Sequence, residues 1–234
     1  MTAAEVREQL NRLASPQVAA SSARFFKTGP GQYGEGDTFI GVRVPTLRQL
    51  ARAFQDLPLT EIEALLRSPI HEERLLALLV LVLGVGKSDD AHRKGVYDFY
   101  LSNTQYVNNW DLVDSSAPAI VGGYLRDRPR KPLVRLAKSA SLWERRIAIV
   151  ATQHFLRLGE FDDTLAISRL LLSDKEDLIH KATGWMLREV GNRDEAGLET
   201  FLDEHGAMMP RTMLRYAIER FPESRRRAYL QGTS

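Results

Sequence analysis

Trp110 and Asp114, in the stretch NNWDLVDSS, stand four residues apart, so on a helix they share one face a turn apart. Lys181 and Trp185 in HKATGWML repeat that spacing, and Arg146 lies between the two pairs in LWERRIAIV. Together these side chains suit one kind of chemistry. Hydrolysis of an N-glycosidic bond builds positive charge on the deoxyribose, which a nearby carboxylate such as Asp114 stabilises while it orients water. The electron-rich faces of Trp110 and Trp185 attract a cation or polarised sugar and exclude water around it. Arg146 could clamp the neighbouring phosphate with two parallel hydrogen bonds. Each residue also has a plainer reading. A tryptophan at helical spacing is usually core, Asp114 could cap a neighbouring helix, and Arg146 could pair with Glu144 or Asp114 on a solvated face.

Such residues can share a surface only if a regular scaffold carries them. Leu75, Leu78, Leu79 and Val82, then Ile147, Val150, Ala151 and His154, follow the three-and-four spacing of a helix face. No comparable stretch alternates with period two. Thr60/Glu63, Ser141/Glu144 and Ser173/Glu176 have the capping-box spacing that marks a helix start. Arg74, Trp110, Arg146 and Lys181 recur every 35 to 36 residues. That period, filled by two helices, is the size of a HEAT-like repeat. The expected architecture is an all-α solenoid of roughly six helical pairs, one domain over residues 1–234, with the recurring positions forming a ladder on its concave face. In that ladder Asp114 and Trp185 occupy matching rungs.

Composition narrows the function further. Hydrophobic residues make up 44% and charged residues 26% of the 234-residue chain, enough apolar material to fold alone. Having no cysteine excludes disulfide scaffolds, thiolate catalysis, Cys-ligated zinc and iron–sulfur clusters. The five histidines lack metal-ligand spacing, and His71-Glu72-Glu73-Arg74-Leu75 lacks the second histidine of a zinc-protease motif, so neither metal nor cofactor is expected. The charged N-terminus is no secretory signal, and the longest apolar run, Leu75 to Val85, is about half of the ~20 residues a spanning helix needs. A cytoplasmic, nucleoid-associated protein is expected. Thr28 to Thr38 concentrates turn residues and contains GPGQYG, a formal dinucleotide fingerprint. It lacks the preceding strand and holds Pro30, so it reads as a long turn between helices. The net charge of +2 is small, so attraction to nucleic acid requires local clustering. Lys27, Arg43, Arg48, Arg146, Lys181, Arg188, Arg211 and Arg215 are placed on or near the concave face, whereas Arg225-Arg226-Arg227 reads as a solvated end.

The stretches NNWDLVDSSAP, LWERRIAIV and HKATGWMLREV resemble the three active-site helices of the AlkD-type DNA alkylation-repair glycosylase family, and SSARFFK with GVRVPTLRQLA resembles its N-terminal helices. The resemblance runs in order along nearly the whole chain. It implies a metal-free, monofunctional glycosylase that excises cationic N3- and N7-alkylated purines from duplex DNA without needing to extrude the base. Residue by residue, it implies that Asp114 is the catalytic carboxylate, Trp110 and Trp185 the aromatic pair on the lesion sugar, and Arg146 the cleft arginine. Arg48 and Arg188 match further basic residues on the DNA face. The partner implied is duplex DNA containing alkylated bases, bound by a monomer with no obligate protein partner. The competing expectations are a non-catalytic DNA-structure binder on the same scaffold and a HEAT-like protein-interaction scaffold. A basic concave face favours nucleic acid over protein.

Overall fold

Ser141 does what its spacing predicts: its hydroxyl accepts the backbone N–H of Glu144 and starts the helix Leu142–Ala151. The computed structural model describes residues 1–86 and 89–232, and among them helices and turns account for the architecture. Among the described residues no strand forms, and the one extended contact is an isolated bridge between Thr38 and Ile70. The all-α helical-repeat expectation holds. Among the described residues no helix is long and apolar enough to cross a membrane.

The chain divides into two compact units, Met1–Ser116 and Ala117–Ser234. The first contains α1 (Ala3–Arg12), α2 (Pro16–Phe25), α3 (Val44–Ala53), α4 (Leu59–Leu66), α5 (His71–Val85), α6 (Asp90–Ser102) and all but the last residue of α7 (Trp110–Ala117). Its centre is α5, which packs against α3, α4 and α6 and is buried on every side from His71 to Leu81. A helix this enclosed has no solvated face, so its four consecutive polar residues, His71 to Arg74, must find partners inside the protein.

The second unit contains α8 (Gly123–Leu125), α9 (Lys131–Ala137), α10 (Leu142–Ala151), α11 (Gln153–Leu156), α12 (Asp162–Leu170), α13 (Asp177–Gly191), α14 (Glu195–His205), α15 (Arg211–Ala217) and α16 (Glu223–Gln231). Here α13 is central, packing on α10, α12, α14 and α15. Gly184 makes a close approach of α13 to α15 possible: a Cβ there would lie 2.4 Å from the Met213 carbonyl oxygen. Arg225 is more than a solvated end, since it bonds Glu195 and Glu199 of α14 and covers the Phe221 ring.

Several local expectations are corrected. Thr60 does not cap α4, which begins at Leu59 directly after Pro58; proline's fixed φ already suits the entry to a helix, and Thr60 falls inside the first turn. Ser173 does not cap α13, because Asp174 accepts the Glu176 N–H at 2.9 Å and the helix starts at Asp177. The face expected to continue to His154 stops at Ala151, where Thr152 turns its hydroxyl onto the Ile149 carbonyl and the chain restarts as α11. The ladder also shifts. Arg146 and Lys181 are each the fifth residue of their helices, but so is Asp114, whereas Trp110 is the first of α7 and Trp185 the ninth of α13. Equal spacing along the chain therefore does not give Asp114 and Trp185 equal helical positions.

Candidate functional site

In the first unit, the polar start of α5 meets the turn residues on its flank. Asp37, at the end of the glycine-rich loop, accepts from Arg74 Nη2 at 2.6 Å, His71 Nδ1 at 2.9 Å and Asn109 Nδ2 at 3.1 Å. The other nitrogen of His71 reaches Asp111 Oδ2 at 2.8 Å. With a carboxylate on each nitrogen, the ring makes both bonds as a donor only when it is an imidazolium. Burial disfavours that charge, but the hydrogen bonds to Asp111 and Asp37 outweigh it and raise the pKa from 6.5 to about 8. Burial likewise pushes Asp37 up, and the bonds from His71, Arg74 and Asn109 more than reverse it, leaving the carboxyl below the usual range. Glu72 points the other way, accepting the backbone N–H groups of Ile40, Gly41 and Val42 at 2.7–3.3 Å. Gly41 is required there: its φ is +86°, and a Cβ would lie 2.1 Å from the Ser15 carbonyl oxygen.

This network fixes the start of α7. Asn109 presents Nδ2 to Asp37 and Oδ1 to the Trp110 N–H at 2.8 Å, while Asp111 is held by His71. Trp110 is half-buried, its ring stacked on Phe26 at 5.2 Å and met edge-on by Phe25 at 5.8 Å. Phe26 continues the stack to Phe39 at 5.1 Å, and Phe39 lies against His71 at 4.6 Å. Asp114, one turn after Trp110, is half-buried near Tyr100, whose hydroxyl bonds Ser116 at 3.0 Å. Burial pushes the Tyr100 phenol well above its ordinary range; the Ser116 bond opposes this, and the Asp114 charge adds to it.

In the second unit, Arg146 is only 5% exposed and donates from Nη1 to the Leu178 carbonyl of α13 at 2.6 Å. Lys181 bonds Asp177 at 2.7 Å, and Trp185 lies half-buried a turn further on. Arg188 is paired with Glu219, and Arg211 donates to the Leu230 carbonyl at 2.7 Å. Arg215, like Arg43 and Arg48 of the first unit, is exposed and has no ion-pair partner among the described residues. Lys27 is exposed, its ammonium 6.0 Å from the Tyr33 ring. Among the described residues no group of three or more His, Asp or Glu is arranged to hold a metal ion.

A family model described as DNA alkylation repair enzyme matches residues 6–221. The chain belongs to that family. Its fold is also that of a solved structure described as a predicted DNA alkylation repair enzyme from Enterococcus faecalis, with a TM-score of 0.69 and 18% identity, covering 90% of this chain and 97% of the other. No curated protein matches significantly in sequence.

Sequence reasoning missed the Asp37–His71–Asp111 network in this DNA alkylation repair family member. Its one visible signal was a run of four polar residues opening an otherwise apolar helix. The network makes stability depend on pH. Because the His71 pKa is higher folded than unfolded, its stabilisation is complete below about pH 6.5 and is lost as pH rises through about 8. The difference corresponds to about 2 kcal/mol. Urea unfolding is expected to show that much less stability at pH 9 than at pH 6.5 relative to a His71→Gln variant; equal pH dependence of the two proteins would show that His71 carries no charge in the folded state.

Proposed function

We propose that this chain is a DNA glycosylase that hydrolyses the N-glycosidic bond of cationic N3- and N7-alkylated purines in duplex DNA, as a monomer and without metal or cofactor. The observation that carries this reading is α7: its first residues are locked by buried ion pairs and an aromatic stack, so Trp110 and Asp114 are held rigidly in a chain of the alkylation-repair family. Asp114 then stabilises the oxocarbenium that forms as the base departs, and orients the water that attacks it. The leaving group is already positively charged, so no strong general acid is needed. Trp110 offers its indole to the lesion sugar. The resemblance assigns Trp185 the same role.

Burial leaves Arg146 little surface for a phosphate. Its bond to Leu178 gives it the task of holding the first turn of α13, and with it Lys181 and Trp185. Lys27, Arg43, Arg48 and Arg215 are the exposed cations assigned to phosphates. Lys181 and Arg188 can join them, since exchanging a surface carboxylate for a phosphate costs little. Contacts of this kind position a duplex without reading its sequence. Affinity for an undamaged duplex is therefore expected to fall by at least about tenfold between about 50 and 200 mM salt, with little dependence on sequence, in an anisotropy titration. Affinity insensitive to salt would contradict the phosphate assignment. Release of the free base from alkylated duplex DNA tests the chemistry itself.

A further inference from the structure

His71 reaches Trp110 by three separate routes. Its Nε2 bonds Asp111 at 2.8 Å, and Asp111 directly follows Trp110 and accepts the Leu112 N–H at 2.9 Å through its other oxygen. Its Nδ1 bonds Asp37 at 2.9 Å; Asp37 also accepts from Asn109 at 3.1 Å, and Asn109 accepts the Trp110 N–H at 2.8 Å. Its ring lies 4.6 Å from Phe39 and 4.9 Å from Phe26, and Phe26 stacks on the indole with the two planes 20° apart. The residues on both sides of Trp110 and the ring against its indole are thus all held from one buried imidazole.

That imidazole can hold both carboxylates only while both of its nitrogens carry a proton. Whichever nitrogen gives its proton up turns a lone pair towards a carboxylate. Both carboxylates lead to α7, Asp111 because it belongs to the helix and Asp37 because it holds Asn109, so either neutral tautomer loosens the start of α7. Burial and the Arg74 guanidinium on the same helix disfavour the imidazolium, and Asp111 and Asp37 outweigh both, leaving the pKa at about 8. Glu72, beside His71 on α5, is taken up by the backbone N–H groups of residues 40–42, and Arg43, ahead of α3, stands on the same cavity as the ring. This cavity, open and of about 590 Å³, is lined by both His71 and Asp111 and gives the proton a way out. A buried charge network is a poor device for stability alone, because well-packed apolar residues in its place are often as stable or more so. What its directional bonds supply is one fixed geometry.

We propose that His71 is a positioning residue for base excision, and that the site works only while the His71 ring is an imidazolium bridging Asp37 and Asp111. The proposal rests on the glycosylase reading above and adds a control to it. The rate of the chemical step follows the charge of a residue that touches neither the DNA nor the reacting atoms. Trp110 opens α7 and Asp114 lies one turn further along it, so loosening the start of the helix takes both the indole and the carboxylate away from the lesion sugar.

Asp111→Asn separates this from a merely structural role. The asparagine amide donates to a neutral Nε2 while Nδ1–H stays on Asp37, so the network closes without an imidazolium and no unpaired charge is buried. Single-turnover base release, with protein in saturating excess so that binding does not enter, is expected to fall about tenfold in the wild type from pH 6.5 to about pH 9, because one unit above the pKa about a tenth of the rings keep the proton. Asp111→Asn, on the same DNA, is expected to stay flat over that range. A Trp143→Phe/Trp185→Phe protein keeps Trp110 as its only tryptophan. Its emission should change with the midpoint of the release profile, and adding Asp111→Asn should abolish the change, while the circular dichroism of the wild type stays constant. Equal pH profiles in the wild type and Asp111→Asn overturn the proposal, since the titration then belongs to another group. So does Trp110 emission that is constant with pH, and so does a loss of helicity that parallels the loss of rate. Absence of release by the wild type at pH 6.5 overturns the glycosylase reading instead, and the Trp110 emission then decides alone whether His71 positions α7.

Discussion

Replacing Asp114 by asparagine is expected to slow release of an alkylated purine by about a hundred- to a thousandfold while leaving affinity for DNA nearly unchanged. Asparagine keeps the size and most of the hydrogen-bonding capacity of the side chain but cannot oppose a developing oxocarbenium. The effect is large because Asp114 is half-buried, so its charge is screened less than it would be in open water. If Asp114 only supported the fold, the variant would lose about a kilocalorie of stability or less and keep its rate. Single-turnover release and melting temperature, measured on the same preparation, separate the two. Unchanged release would remove Asp114 from the chemistry.

His71→Ala is expected to cost about 3–5 kcal/mol of folding stability, the usual consequence of deleting one member of a buried charge network. His71 is 1% exposed, and its loss strips Asp111 of the only side-chain donor it has among the described residues and leaves two buried carboxylates facing a cavity. Asp37 keeps Arg74 and Asn109, so the greater strain falls on Asp111 at the start of α7. The double variant His71→Ala/Asp111→Asn should recover part of the loss, because it removes the uncompensated charge. Urea midpoints for the three proteins provide the check. A single-variant loss below about 1 kcal/mol would show that the network does not hold α7.

The all-α architecture was legible because helix periodicity and the 35- to 36-residue recurrence are local or regularly spaced signals. Ser141 was legible as a cap for the same reason. Thr60 and Ser173 were not, since a neighbouring Pro58 or Asp174 competed for the same task and nothing in the spacing says which wins. Trp110 and Asp114 could be placed on one helix from their spacing alone. What anchors that helix could not, because Asp37, His71 and Asn109 are separated by 34 to 72 positions and meet only after α5 is enclosed. The Thr28 to Thr38 stretch looked like a bare turn for a related reason. Its glycines describe how the chain bends, whereas its contribution to the site is the one carboxylate, Asp37, that it delivers to His71.

The most direct measurement is the appearance of free 7-methylguanine or 3-methyladenine when the wild-type chain, in excess, is incubated with alkylated duplex DNA. The account predicts release of the base, leaving an abasic site, without added metal or cofactor. Tight binding of the same DNA with no base released would contradict it and would make the chain a DNA-structure binder on the alkylation-repair scaffold.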